Sequence, residues 1–129
     1  MFPAKQLCVL VVDDTSTSRM LVRDALERMG IAQIMVAGDG LEALQCMAGR
    51  RCHLVIADFN MPRMDGLELL RVMRSNRTTR DTPFIILTGN GDRALLQKAA
   101  MMGANNYLTK PFTLHGLKAA IEAVVGTLQ

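Results

Sequence analysis

Five short apolar runs, separated by longer stretches with helical spacing, constrain the fold of this 129-residue chain more than any other feature. Each run has three to five residues and is bounded by polar or turn residues; the runs are 8–12, 34–37, 54–57, 84–87 and 106–108. Such runs are typical of strands buried on both faces of a parallel sheet. Between them, apolar residues recur at i, i+3, i+4 and i+7, for example over 22–29 and 117–124, which indicates amphipathic helices.

This alternation predicts five βα units and an open, doubly wound α/β fold whose parallel sheet is covered on both faces. Gly30 and Gly103 stand where helix C-caps are expected. Asp92 is placed to N-cap the fourth helix, and the hydroxyls of residues 15–18 can start the first helix. Because a domain usually has about 100–200 residues, we expect residues 1–129 to form one domain.

Composition and charge exclude several classes of protein. Half of the residues are hydrophobic and 21% are charged, which excludes a disordered chain. The apolar run at 7–12 is shorter than a signal-peptide core (about 7–15 residues) or a membrane span (about 20 residues), so no membrane contact is expected. The three cysteines, Cys8, Cys46 and Cys52, lie in or beside apolar runs, which predicts reduced core thiols in a cytoplasmic protein.

The formal net charge is +3, and four arginines follow one another about one helical turn apart, at Arg71, Arg74, Arg77 and Arg80. A phosphate-binding stripe would have this spacing. Cations gathered at a solvated helix C-terminus would have it too. No recognition-helix motif accompanies the arginines, so we favour the solvated helix end and expect no nucleic-acid partner.

Polar side chains follow the predicted strands at one edge of the sheet. Ligands of open α/β sheets bind outside the carboxyl ends of the strands. The first strand is followed by Asp13 and Asp14, the third by Asp58, the fourth by Thr88 and the fifth by Lys110. Strands often end at polar turn residues, but three acids, a hydroxyl and an amine at one edge favour a functional site.

The charges of these residues indicate a divalent cation. Two carboxylates about 5 Å apart repel each other by about 3 kcal/mol at an effective dielectric constant near 20. Lys110 balances one of the three acids, and an oxygen-only donor set favours Mg²⁺ for the rest. Carboxylates, Mg²⁺, a lysine and a hydroxyl are suited to phosphoryl transfer. Asp58 would be the nucleophile, with Lys110 and Thr88 binding the phosphoryl oxygens.

Four motifs resemble those of the receiver domain of two-component response regulators. They are VVDD at 11–14, DFNMPRMDG at 58–66, LTG at 87–89 and LTKPF at 108–112. The resemblance spans the whole chain, and among receiver domains the chain most resembles single-domain chemotaxis regulators. It implies a flavodoxin-like (βα)5 fold with strand order 2-1-3-4-5.

The resemblance also implies a role for each residue of the site. Asp58 would accept a phosphoryl group from the phosphohistidine of a histidine kinase. Asp14 and Asp58 would bind Mg²⁺ through their side chains, Asn60 through its backbone carbonyl, and Asp13 largely through water. Lys110 would pair with Asp58 or its phosphate. The protein would be a phosphoacceptor signalling protein that catalyses only its own phosphorylation and dephosphorylation.

A switch and a partner surface follow from the same resemblance. Thr88 would shift toward the phosphate and Tyr107 would turn inward behind it. Because the sequence ends one helix after Lys110, we expect output through docking rather than through a further domain. We call the expected docking surface the partner face, which consists of Arg93, Tyr107, Thr109, His115 and Lys118.

Two positions of the family tune dephosphorylation, and both are asparagine here, Asn60 and Asn90. Asn90 departs from the acidic residue of well-known motor-binding members. The resemblance to chemotaxis regulators nevertheless implies a flagellar motor switch protein or a phosphatase as the partner. A phosphate sink, a phosphorelay intermediate and an unphosphorylated interaction module are the alternatives.

Two enzyme classes fit the sequence less well. A GxGxxA motif at 38–43 has the form of a dinucleotide fingerprint, but it follows the second predicted strand and more often marks a tight turn. A dehalogenase-like phosphatase needs a second aspartate two residues after its nucleophile. The residue two positions after Asp13 is Thr15.

Overall fold

Five parallel strands form one sheet in the computed structural model, which describes residues 3–89 and 93–129. The strand order is β2-β1-β3-β4-β5, which confirms the predicted doubly wound topology. The strands begin and end within one residue of the apolar runs; they are β1 (Cys8–Val12), β2 (Gln33–Ala37), β3 (Leu54–Asp58), β4 (Phe84–Thr88) and β5 (Asn106–Thr109).

Helices cover both faces of the sheet because strand side chains alternate between two apolar cores. The helices are α1 (Ser16–Arg28), α2 (Gly40–Gly49), α3 (Gly66–Ser75), α4 (Arg93–Met101) and α5 (Leu114–Val125), preceded by a 3-10 turn at Ala4–Gln6. One core joins α1 and α5 to strand residues such as Val9 and Val11. The other joins α2, α3 and α4 to residues such as Leu10 and Val12. Within residues 3–89 and 93–129, no helix is long and apolar enough to cross a membrane.

The two outer strands are less buried than the sequence predicts. Strands β1 and β4 are buried along their whole length. Strand β2 is half-buried over most of its length, with Val36 41% exposed, and β5 alternates between half-buried and exposed residues. An edge strand has a neighbour on one side only, so the prediction of strands buried on both faces is wrong for β2 and β5.

The helix ends show which sequence signals are reliable. Gly30 and Gly103 follow α1 and α4 with φ angles of 90° and 102°, as predicted for C-cap glycines. Thr15 is the N-cap residue of α1, but its side chain makes no capping hydrogen bond. Instead, the Thr15 N–H donates to Asp13 Oδ1 at 2.9 Å. The predicted N-cap residue Asp92 lies outside the described residues.

Arg74 departs from the prediction that the arginine series is solvated. Its guanidinium is partly buried and donates to the carbonyl oxygen of Gly103 (2.8 Å from Nη2) and to Asn105 Oδ1 (3.1 Å). Burial lowers the pKa of Arg74 below its ordinary value. A Cβ at position 103 would lie 2.8 Å from Arg74 Nε, so the glycine allows this approach. Arg74 therefore fastens α3 to the connection between α4 and β5.

Candidate functional site

Three carboxylates meet at the carboxyl ends of β1 and β3. Asp13 and Asp14 directly follow β1, and Asp58 is the last residue of β3. One carboxylate oxygen from each of the three lies within 4.8 Å of the others. The structure thus brings together the acids that the sequence predicts at this edge of the sheet. We call Asp13, Asp14 and Asp58 the acidic cluster.

Lys110 joins the acidic cluster from the connection between β5 and α5. Its Nζ lies 3.3 Å from Asp13 Oδ2 and 3.3 Å from Asp58 Oδ2, so it bridges the ends of the first and third strands. The Lys110 N–H donates to the carbonyl oxygen of Thr88 at 2.8 Å, which anchors the loop beside β4. The Lys110–Pro111 peptide bond is cis.

Burial differs among the charged groups. The Asp13 side chain is 1% exposed and that of Asp58 is 14% exposed, whereas Asp14 is exposed. Burial raises the pKa of Asp58, and the Asp13 charge raises it further, while Lys110 acts in the opposite direction; the net result lies above the ordinary value. Among the residues that the structure describes, Lys110 is the cation that forms ion pairs with these acids, so one positive charge faces three carboxylates.

Two residues of α1 contact the site, and the sequence analysis missed both. Lys110 Nζ lies 3.0 Å from Ser18 Oγ. Arg19 Nη1 donates to the carbonyl oxygen of Asp13 at 2.9 Å. The signal that could have found them is their place in the first turns of the helix that starts at this edge, directly after the two acids of β1.

The loop between β3 and α3 carries Asn60, two residues after Asp58. Asn60 is exposed. The loop leaves the sheet through a hydrogen bond from the Phe59 N–H to the Leu87 carbonyl oxygen (2.9 Å), and it closes with one from the Gly66 N–H to the Phe59 carbonyl oxygen (3.0 Å). A Cβ on Gly66 would lie 2.6 Å from the Asp58 carbonyl oxygen, so glycine lets α3 begin directly against the site.

The predicted switch and surface residues have different surroundings. Thr88 is 2% exposed at the end of β4, and Tyr107 on β5 is 52% exposed. The partner face lies on α4, β5 and α5, where all its members are exposed: Arg93, Tyr107, Thr109, His115 and Lys118. Asn90 lies outside the described residues.

The acidic cluster has the properties of a site for a hard divalent cation. All its donors are oxygens, and three carboxylates face one ammonium group. Oxygen donors with surplus negative charge suit Mg²⁺, which keeps several waters and takes one or two carboxylates. A partly buried carboxylate beside a lysine and such a cation can accept a phosphoryl group, because charge neutralisation dominates this chemistry.

Packing accounts for Gly40 in the 38–43 segment. Asp39 accepts a hydrogen bond from the Glu42 N–H at 3.0 Å and so caps α2. A Cβ on Gly40 would lie 2.6 Å from Met64 Cγ, because the β3–α3 loop passes directly over this turn. The turn thus holds a neighbouring loop, in agreement with its interpretation as a tight turn.

Comparisons with known proteins agree on one family. The family model of the response regulator receiver domain matches residues 9–122. A probable chemotaxis protein CheY of Rhizobium etli is 54% identical over 126 residues, which cover 98% of both chains. The structure of chemotaxis protein CheY4 of Vibrio cholerae is similar with a TM-score of 0.85 and 32% identity, covering 92% of this chain and 98% of that one. The receiver domain of a Pseudomonas aeruginosa sensor histidine kinase, described with a magnesium ion coordinated in its active site cleft, has a TM-score of 0.84 and 25% identity, covering 94% and 98% of the two chains.

Proposed function

Because the chain belongs to the response regulator receiver family, we propose that it accepts a phosphoryl group from a histidine kinase on Asp58 and transmits the signal by docking. The observation that carries this proposal is Lys110 bridging Asp13 and Asp58 beside a third carboxylate. The family consists of signalling proteins rather than classical enzymes, and the expected domain is the whole chain, 1–129, in the cytoplasm.

In the proposed reaction, a carboxylate oxygen of Asp58 attacks the phosphorus of the donor phosphohistidine. The new O–P bond forms as the P–N bond breaks, and the electron pair of that bond returns to the imidazole nitrogen. Lys110 lies 3.3 Å from Asp58, where its ammonium group can bind a phosphoryl oxygen after transfer. Thr88, at the end of the neighbouring strand, is the proposed hydroxyl donor to another of these oxygens.

The residues that would hold Mg²⁺ are the three carboxylates Asp13, Asp14 and Asp58 and the backbone carbonyl of Asn60. When bound, Mg²⁺ supplies charge neutralisation at the phosphoryl oxygens. The protein residues keep the carboxylates together in its absence. Asp13 is fixed by the Thr15 N–H and by Lys110, so its two oxygens point in defined directions.

The proposed output is a change at the partner face defined above. Thr88 and Tyr107 lie on neighbouring strands, and residues 88 and 109 are paired in register. A shift of Thr88 toward the phosphate would open space behind it for the Tyr107 ring. Partners in this proposal are a flagellar motor switch protein or a phosphatase, since the similar proteins are chemotaxis proteins. Asn60 and Asn90 are the proposed residues that set the rate of dephosphorylation.

Intact mass spectrometry after incubation with acetyl phosphate and Mg²⁺ tests the phosphorylation. We expect one phosphoryl group on the wild type, none on Asp58→Asn, and none when EDTA replaces Mg²⁺. An Asp81→Asn variant is a suitable control, because the Asp81 side chain is 95% exposed and lies outside the site. A folded wild type that gains no mass would overturn the phosphoacceptor role and favour an unphosphorylated interaction module.

The docking step needs a separate measurement. Titration with a peptide from a flagellar motor switch protein, with and without phosphorylation, should show tighter binding of the phosphorylated form. Equal affinities would reject the motor-binding role and leave the phosphate sink or relay. The decay of the phosphorylated mass peak would then distinguish a short-lived sink from a longer-lived relay intermediate.

A further inference from the structure

An ion pair outside the acidic cluster fixes the loop that carries Asn60. Arg63 Nε donates to Asp39 Oδ2 at 2.7 Å, and Nη2 contacts the same oxygen. The Asp39 side chain is 5% exposed, whereas that of Arg63 is 58% exposed. A mostly exposed guanidinium therefore reaches from the β3–α3 loop to a buried carboxylate at the start of α2.

The backbone around this ion pair is also fixed. Arg63 has a φ angle of 62°, in the left-handed region that residues other than glycine seldom adopt. The next residue, Met64, accepts a hydrogen bond at its carbonyl oxygen from the Gly40 N–H (3.1 Å). The loop is thus tied to the β2–α2 turn at two successive residues, once through a side chain and once through the main chain.

Asp39 is held by its own helix as well as by Arg63. It caps α2 through the Glu42 N–H. The Glu42 N–H and the Arg63 guanidinium together keep the pKa of Asp39 below its ordinary value, although burial acts against them. The carboxylate is therefore a charged and rigid anchor for the loop.

The position of this anchor matters for the site. Phe59 is fixed by the sheet at one end of the loop, and Arg63 and Met64 are fixed by the β2–α2 turn at the other. Between them lie Asn60, Met61 and Pro62. The segment that carries Asn60 is thus held at both of its ends.

We propose that the Arg63–Asp39 ion pair is a positioning device that holds Asn60 toward the acidic cluster. Arg63 thereby tunes the affinity for Mg²⁺ and the rate of dephosphorylation without contacting the Mg²⁺ ion or the phosphoryl group. The inference rests on the proposed function, because it needs Asn60 to act at the metal and at the phosphate. Residues that orient metal ligands typically change metal affinity about 10–100-fold when they are replaced. The lower end of this range applies here, since Asn60 is one ligand among several.

The test compares variants that separate charge from backbone conformation. Arg63→Gly removes the ion pair but favours the positive φ angle. Arg63→Ala removes the ion pair and, like arginine, disfavours the positive φ angle. Arg63→Lys keeps the charge without the planar fork. Asp39→Asn keeps a good N-cap and loses the charge. Arg28→Gln is the matched control, because it removes a guanidinium from the exposed ion pair with Asp24 on α1.

Two readouts are measured on unphosphorylated protein, namely the Mg²⁺ dissociation constant by calorimetry and the heteronuclear NOE of the Asn60 and Met61 amides. A third is the rate of dephosphorylation. For Arg63→Gly and Asp39→Asn we expect about tenfold weaker Mg²⁺ binding, a lower NOE at both amides and an altered dephosphorylation rate. Arg63→Lys should be intermediate, and Arg28→Gln should match the wild type.

The Arg63→Gly/Asp39→Asn double variant should lose no more than either single variant, because both remove the same interaction. Mg²⁺ binding and amide NOEs within twofold of the wild type in Arg63→Gly would overturn the inference, even if urea unfolding showed a loss of stability. A wild type that binds no Mg²⁺ would instead overturn the proposed function. The amide NOEs would in that case still report whether the ion pair orders the loop.

Discussion

Replacing Asp58 by asparagine should stabilise the metal-free protein, although it removes the proposed phosphoacceptor. The Asp58 carboxylate lies 3.3 Å from Lys110 Nζ, an attraction of about 5 kcal/mol at an effective dielectric constant of 20. It also lies within 4.8 Å of the Asp13 and Asp14 oxygens, a repulsion of about 3.5 kcal/mol from each under the same assumption. The difference is about 2 kcal/mol of net repulsion, and asparagine keeps an acceptor for Lys110.

Partial exposure of the cluster screens these charges, so the expected gain in the free energy of unfolding is about 1–2 kcal/mol. For a domain of this size that raises Tm by roughly 4 °C per kcal/mol. The assay is thermal unfolding at pH 7 in EDTA, with Asp81→Asn as control, which should stay within about 0.5 kcal/mol of the wild type. Mg²⁺ should stabilise the wild type more than Asp58→Asn, so the difference in the free energy of unfolding between the two proteins should become smaller when Mg²⁺ is added.

The pH dependence of the free energy of unfolding is a second test of the repulsion at Asp58. The folded-state pKa of Asp58 is raised above its ordinary value of 3.8. The folded protein therefore binds this proton more tightly than the unfolded chain, and the penalty of the charged form disappears as the pH falls through the folded pKa to 3.8. The stability that Asp58→Asn gains over the wild type should therefore decrease as the pH falls over that range. A variant less stable than the wild type at pH 7 in EDTA would refute the charge balance described above.

Three further predictions concern packing and reactivity. Gly66→Ala would place a Cβ 2.6 Å from the carbonyl oxygen of Asp58, and should cost about 1–3 kcal/mol of stability in urea unfolding; an unchanged midpoint would contradict the close approach. Asp65→Ala removes the capping box that Asp65 forms with Glu68 and should lower the free energy of unfolding by about 1 kcal/mol in the same assay, whereas Asp65→Asn should keep most of the stability of the wild type. Burial raises the pKa of the Cys52 thiol to about 11, so iodoacetamide at pH 8 should label it far more slowly in the folded than in the urea-unfolded protein; equal rates by mass spectrometry would show that the thiol is accessible.

The central strands were predictable because their apolar runs are uninterrupted and bounded on both sides. The predicted ends of β3 and β4 fall one residue too early, since a polar residue was taken to end the strand, whereas the predicted end of β1 is correct. Asp58 still pairs with Leu87 in the ladder, and Thr88 pairs with Thr109. The lower burial of β2 was not predictable from composition, because an edge strand contains the same apolar residues as a central one.

The acidic cluster was predictable for a topological reason. Parallel strands bring their carboxyl ends to one edge, so the residues after the apolar runs must meet there. Arg63 carries no such signal, since its side chain reaches Asp39, 24 residues away, from the β3–α3 connection. The solvated interpretation of Arg74 failed for the same reason, because its acceptor on the α4–β5 connection lies 29 residues away.

The bridge between Asp13 and Lys110 spans 97 positions of the chain. At a synthesis rate of about 5–20 residues per second, the first acids leave the ribosome about 5–20 s before the lysine does. During that interval the nascent chain has no ammonium group at this end of the sheet. The ion pair of Asp13, at the end of the first strand, can therefore form only after the connection that follows the last strand has been synthesised.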